Sequence, residues 1–339
     1  MRKIFLLIVG CVLIHMPNHL RAQSEGAFRH LDLSLNAGTT GVGFELASPI
    51  SDAFRLRAGF DIMPRLQKNL HFEVSSFDDN GNVISSQFSN LSARLKELTG
   101  YEVKDYVDME AKPTFSNFKL LVDFFPFKKN KFWKNFYVTA GFYWGTSELG
   151  KAINSIEGAQ TLVGMEMYNH LYEKSSSDEP LITVNGIGPD GKEVPVDVYL
   201  HPWLVNRIKA TGRLAVGIGK YKNDVLDENG KVIHQAGSTY MMEPMSDGTV
   251  RARATVNSFK PYLGFGYGGR LIKNNDTYKI SVDCGVLFWG GKPAVITHDG
   301  IDLSRDVDNI VGKVGDYVDI IGKFPVYPVL NIRLTRKLF

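Results

Sequence analysis

The 339-residue chain has no apolar run of the roughly 18 to 20 residues that a membrane-spanning helix needs. The one candidate, Ile4 to Ile14, is about half that length. Arg2 and Lys3 precede it and Leu20-Arg21-Ala22 stand before Gln23, so it reads as a secretory signal over residues 1–22. Cysteine is scarce: Cys11 lies inside that signal and Cys284 is the other, so export brings no disulfide framework. Ile8-Val9-Gly10-Cys11 offers the alternative of a lipid-attached cysteine, opposed by the apolar Val12-Leu13-Ile14 behind it. Neither a zinc spacing nor a phosphate-cradling glycine loop occurs. An excess of one charge is missing too. Of the 39 lysines and arginines, Arg2, Lys3 and Arg21 belong to the signal, which leaves 36 against 36 acidic side chains and no argument for nucleic acid.

What the chain does have is alternation. From Tyr278 to Trp289, Tyr278, Ile280, Val282, Cys284, Val286 and Phe288 share one face, with Lys279, Ser281, Asp283, Gly285, Leu287 and Trp289 on the other. The same period of two runs through Leu31–Ala37, Val42–Ala47, Phe54–Ile62, Phe118–Phe125, Phe136–Trp144 and Tyr327–Phe339. A further segment, Val250 to Gly268, slips phase across Ser258 to Pro261. A β-bulge there would make it one strand, and two separate short strands are the alternative. The count is about eight strands, within a range of 8–10. Short connections (Pro49–Ala53, Pro126–Lys134, Arg270–Asp276) alternate with long ones over residues 63–114, 147–249 and 290–326. That asymmetry matches an antiparallel up-and-down transmembrane β-barrel over residues 23–339, with tight periplasmic turns and long extracellular loops.

The loops carry structure of their own. Asp78-Asp79-Asn80-Gly81, Pro189-Asp190-Gly191-Lys192 and Asp227-Glu228-Asn229-Gly230 are hairpin-turn sequences. Helical spacing appears between Ala152 and Lys174 through Ile153, Ile156, Ala159, Leu162, Val163, Met167 and Leu171. Shorter helices are expected at Leu91–Leu98 and Leu303–Ile321.

Charge falls on the polar face of nearly every strand: Asp32, Glu45, Arg55, Arg57, Asp61, Lys119, Asp123, Arg251, Arg253, Lys279, Asp283 and Arg333. A lysine or arginine facing mid-bilayer lipid costs roughly 2 to 4 kcal/mol, so these must line the lumen. An eight-stranded barrel is just wide enough to be filled by side chains. Opposite charges in that space should pair, because an uncompensated buried charge is costly. Phe124, Trp133, Phe136, Trp144, Trp289 and Tyr327 stand at strand ends, as the aromatic girdles of membrane barrels do.

With the signal, LSLNAGTTGVGFEL, FRLRAGFD, KPYLGFGYGG, ISVDCGVLFWGGKP and the ending VYPVLNIRLTRKLF, the chain resembles the small outer-membrane β-barrel proteins of Gram-negative bacteria, in a Bacteroidetes-like form. The resemblance covers about 150 residues of strand and turn, not the loops. It implies the outer membrane, a lipid bilayer and lipopolysaccharide as surroundings, and the barrel-assembly machinery as a partner that reads the terminal Phe339. Lys337 stands where many such barrels carry another aromatic. Fold alone gives no activity here, since barrels of this size include enzymes, adhesins and pores.

Chemistry is sparse. His298, Asp299, Asp302, Asp306 and Asp308 lack the alternating spacing of a calcium loop, and His71 with Asp78 or Asp79 is a weak pairing. The expectation is therefore a non-catalytic barrel whose folded surface loops bind or support, with no metal, no cofactor and no nucleic acid. The alternatives are a narrow diffusion pore and a surface enzyme acting on lipid or peptide.

Overall fold

The computed structural model describes residues 30–78, 82–85, 92–93, 96–97, 100, 104–127, 129–130, 132–177, 179–189, 191–245, 247–273, 275–310, 315–316, 318–319, 322 and 325–338. The signal expected over residues 1–22 and Phe339 lie outside them. In chain order, β1 (Asp32–Gly38), β2 (Gly41–Pro49) and β3 (Phe54–Ile62) come first. The first long connection then forms β4 (Lys68–Glu73), β5 (Ser75–Phe77), β6 (Val83–Ser85) and β7 (Tyr106–Pro113). After β8 (Ser116–Phe124) and β9 (Phe136–Gly145), the second holds β10 (Glu148–Asn154), helix α1 (Ile156–Ser177), β11 (Ile182–Ile187), β12 (Glu193–Val198) and helix α2 (Pro202–Thr211). It continues through β13 (Arg213–Tyr221), β14 (Val225–Leu226), β15 (Val232–His234), β16 (Thr239–Met242) and β17 (Arg251–Thr255). Next come β18 (Phe259–Ile272), β19 (Asn275–Phe288), β20 (Ala294–Thr297), β21 (Val307–Asp308) and β22 (Val326–Lys337).

Eight strands close a barrel in the order β1-β2-β3-β8-β9-β18-β19-β22, every pair antiparallel. Alternation drives the closure. Phe44, Phe60, Leu263, Phe265, Val282, Leu330 and Ile332 point outward and stay exposed, while their neighbours turn into the lumen. No described helix is long and apolar enough to cross a membrane. The tight first connection, Thr39-Thr40, fits because Gly41 takes φ 104°, open to glycine at little cost.

The loops fold into a cap with its own sheets. One has the order β20-β17-β10-β7-β4, which repeats the barrel order β19-β18-β9-β8-β3. Each cap strand adjoins its barrel strand in sequence, so five strands of the wall carry on beyond the barrel after a short break. A second sheet has the order β16-β13-β5-β6, with β21 paired to β13. Between them lies an apolar core that includes Val74, Met109, Leu162, Met165, Leu214, Val216 and Met242. The hairpin turns at Pro189–Lys192 and Asp227–Gly230 join β11 to β12 and β14 to β15; Asp79, Asn80, Gly81 and Asp190 lie outside the described residues.

Three local expectations need correction. Val250–Gly268 is not one bulged strand but the alternative, two strands, and these lie in two sheets: the chain leaves one at Val256, whose N–H donates to the Ser147 carbonyl, and enters the other at Phe259. The long helix begins at Ile156, not Ala152, because Ala152 to Asn154 are paired with β7. Its buried face is Leu162, Met165, Tyr168, Asn169 and Tyr172, with Ile156 and Met167 exposed. The face is rotated because the Asn169 side chain bonds both backbone groups of Leu214, 2.9 Å and 2.8 Å. Finally, Leu303 to Asp306 form a turn leading to β21, and helix is described only at residues 315–316, 318–319 and 322. Of the expected Leu91–Leu98 helix, residues 92–93 and 96–97 are helical and the rest lie outside the described residues.

Candidate functional site

Inward positions of β2, β3, β8, β19 and β22 bring eight charges together in the lumen. Arg55, Arg57, Lys119 and Arg333 meet Glu45, Asp61, Asp123 and Asp283, four of each sign. Arg57 is the hub: its guanidinium reaches Asp123 at 2.9 Å, Glu45 at 3.1 Å and Asp283 at 3.3 Å. Lys119 bridges Glu45 and Asp61, the latter at 2.8 Å, and Arg333 lies 2.9 Å from Glu45. Hydroxyls complete the set, with Tyr137 donating to Asp283 and Thr139 to Asp123. Equal numbers of buried charges with filled hydrogen-bond positions meet the condition under which such a cluster is tolerable. Two more of the expected lumen charges lie toward the turn end. Asp32 is buried 3.6 Å from His30, and Lys279 lines an open cavity of about 660 Å³ with Arg55, Tyr137 and Arg270.

A cluster of aromatic and aliphatic side chains packs beside these charges, most of it toward the loop end. Phe115, Leu121, Tyr143, Tyr262, Leu287 and Val329 are buried there in one cluster. Tyr327 packs against this cluster and Trp289 against Tyr327, which corrects their reading as girdle residues. Trp289 is 6% exposed, its ring 5.2 Å from that of Tyr327, whose hydroxyl donates to the Thr39 carbonyl. Both share the inward parity of their strands, and that parity was the signal available in the sequence.

Lys260 was missed altogether. Fully buried at the loop end, it donates to Asn117 at 2.9 Å and to the carbonyls of Thr146 and Ser258, and it lies over the Phe115 ring. Reading Ser258–Pro261 as a bulge hid its inward direction. Gly264 and Gly266 give room to tyrosines: a Cβ at Gly266 would collide with the Tyr137 ring from the opposite strand, and one at Gly264 with Tyr262.

On the outside, Phe124, Trp133 and Trp144 are exposed. Phe136 packs against Trp133 and Phe265. Phe54 and Phe124 at the turn end stack across neighbouring strands, and Phe142 and Phe259 at the loop end meet at a tilt with ring centroids 5.2 Å apart. Cys284 is exposed on this apolar face.

Arg251 and Arg253 are not in the lumen. They belong to β17 of the cap, on the sheet face turned away from the cap core, while Ala252 and Ala254 face inward. Between the two cap sheets lies an apolar cavity of about 460 Å³, lined by Leu70, Phe72, Met109, Met242, Val295 and Leu303 among others. Asp299 and Asp302 serve local structure: Asp299 accepts from Tyr240 and Thr297, and Asp302 from the backbone of Val295 and Ser304. Burial pushes the Tyr240 phenol far above its ordinary range, and that of Tyr221 to about 12. His71 meets Asp108, not Asp78.

No protein-family model matches the chain, and no curated protein matches it. Solved structures with some likeness include the crystal structures of Acinetobacter baumannii CarO2 and CarO. The first has a TM-score of 0.36 and 14% identity over 92% of this chain and 100% of that one. The second has a TM-score of 0.36 and 12% identity over 91% and 97%. Neither lends support to the Bacteroidetes-like form, and similarity at this level carries no argument about activity. The closed eight-stranded barrel stands on its own strand pairing.

Proposed function

We propose that the chain is an outer-membrane protein: a closed, non-conducting barrel that holds a folded binding domain at the cell surface and catalyses no reaction. The observation that carries this reading is the filled lumen, occupied by a balanced ion-pair network and, beside it and toward the loop end, by a cluster of buried aromatic and aliphatic side chains. Support for the location comes from the signal, the exposed apolar outer face and the aromatics at both ends of it. Binding is supported by the cap itself, whose two sheets and separate core hold an apolar cavity large enough for a small ligand. Its partners are the bilayer and lipopolysaccharide around the barrel and the barrel-assembly machinery that inserts it.

Planar-bilayer recording tests the reading directly. The full chain should insert, migrate anomalously on unheated gels, and give no stepwise conductance; liposomes carrying it should not swell in small sugars. Reproducible conductance steps would replace this reading with the narrow pore. Recovery of the mature protein in the soluble periplasm would remove the membrane assignment.

A further inference from the structure

The outer face of the first cap sheet sets like charges side by side. Lys151 on β10 lies directly opposite Lys112 on β7 and Arg253 on β17. Three cations thus stand in register across three adjacent strands, an arrangement that is destabilising in itself. Arg251 lies two residues along β17, and these cations line a groove of about 740 Å³ together with Arg65, His298 and the apolar Ile153, Met245 and Ile296. Acidic groups offset only part of this. Glu110 holds Lys112 at 2.6 Å, Asp247 holds Arg251 at 3.4 Å, and Glu148 accepts from the Thr114 hydroxyl. Among the described residues, Arg65, Lys151 and Arg253 have no ion-pair partner.

Position selects the counter-charge. Lys112 shares the parity of Phe118 and Phe124 on the outward face of the next strand, β8, and Arg253 shares that of Phe259, Leu263 and Phe265 on β18. The opposite face of the sheet is taken by the cap core, against which Leu70, Phe72, Ala152 and Ala254 pack. From Phe259 back to Arg253 is six residues, which span at most about 20 Å at about 3.3 Å each. With the tilt usual for such strands, the groove stands no more than about 15 Å beyond the loop-end aromatics. On the outer-membrane reading, that height falls in the inner saccharide layer of the outer leaflet, where phosphates and sugar carboxylates are concentrated.

We propose that this groove binds the anionic inner core of lipopolysaccharide, with Lys151 and Arg253 as its central contacts. The proposal rests on the outer-membrane reading above. Bound anions would relieve the cross-strand repulsion, so lipid and cap would stabilise each other.

The test uses the full chain in detergent micelles and native mass spectrometry with purified phosphorylated rough-type lipopolysaccharide. Lys151→Gln with Arg253→Gln should weaken binding by about thirtyfold. The wild-type affinity should fall steeply with salt, and the variant's less so. Without lipid, the variant's cap should melt no lower than the wild type, since a repulsion has been removed. Equal binding by the two proteins overturns the proposal. So does inorganic pyrophosphate that competes as well as the lipid mole for mole, because the groove would then be a site for soluble anions. Heat-modifiable migration, checked on the same samples, separates a failed groove from a failed barrel assignment.

Discussion

Arg57 and Asp283 lie 3.3 Å apart although 226 residues separate them, and the same guanidinium holds Asp123 and Glu45. One side chain therefore ties β2, β3, β8 and β19 together across the lumen. Arg57→Met should leave three carboxylates short of a partner. Breaking a buried pair by removing one member costs roughly 3 to 5 kcal/mol. The loss should appear in urea unfolding of the barrel in liposomes. Arg55→Met should cost less, because Arg55 is partly open at the turn end and meets only Asp123 among these carboxylates. Equal losses would mean that the network is not centred on Arg57.

Gly266 pairs across the sheet with Tyr137, whose ring occupies the space a side chain at 266 would need. Gly266→Ala should destabilise by about 1 to 3 kcal/mol, the usual range for overpacking a filled interior. In a Tyr137→Ala background the same substitution should be close to neutral. Additive losses would show that the glycine matters only for backbone freedom. Thermal unfolding of the four proteins of this cycle decides it.

The barrel was legible because its strands alternate cleanly, and the cap was not, for a related reason. Arg251-Ala252-Arg253-Ala254 alternates as a lumen strand does, but its dry face is the cap core and not lipid. Alternation reports that one face is dry, never what dries it. In β10 a register shift between Glu148 and Gly150 broke the period, so the strand was absorbed into the helix that follows. Parity put Glu45, Arg57, Lys119, Asp123, Asp283 and Arg333 on inward positions but put Arg251 and Arg253 there as well, because it does not tell a barrel strand from a cap strand. Lys260 was lost to the same phase slip that merged β17 with β18.

Val282 projects from the middle of β19 onto the apolar outer face and is 44% exposed, with Ile332 beside it on β22. Val282→Arg should cost roughly 2 to 4 kcal/mol when the protein is folded into bilayers. Val282→Leu should be nearly neutral in the same vesicles. In detergent-free urea, where the unfolded chain meets water in both proteins, no such gap is expected. Equal folding of the two variants in bilayers would mean that this face meets protein instead of lipid.

Leu214 is fully buried in the cap, and its backbone N–H and carbonyl are both bonded to the Asn169 side chain on α1. Leu214→Ala removes apolar contacts from a closed core and should cost about 2 to 5 kcal/mol. Asn169→Ala leaves two buried backbone groups without partners, about 1 to 3 kcal/mol for each. Either change should loosen the cap and speed its cleavage by protease added outside intact cells. The barrel draws its closure from strands and ion pairs that neither residue touches. Its heat-modifiable migration and its protease-resistant core should therefore persist in both variants. Loss of the barrel along with the cap would show that the five continuous strands unfold as one unit, and the surface domain would then be part of the barrel's stability and not a passenger on it.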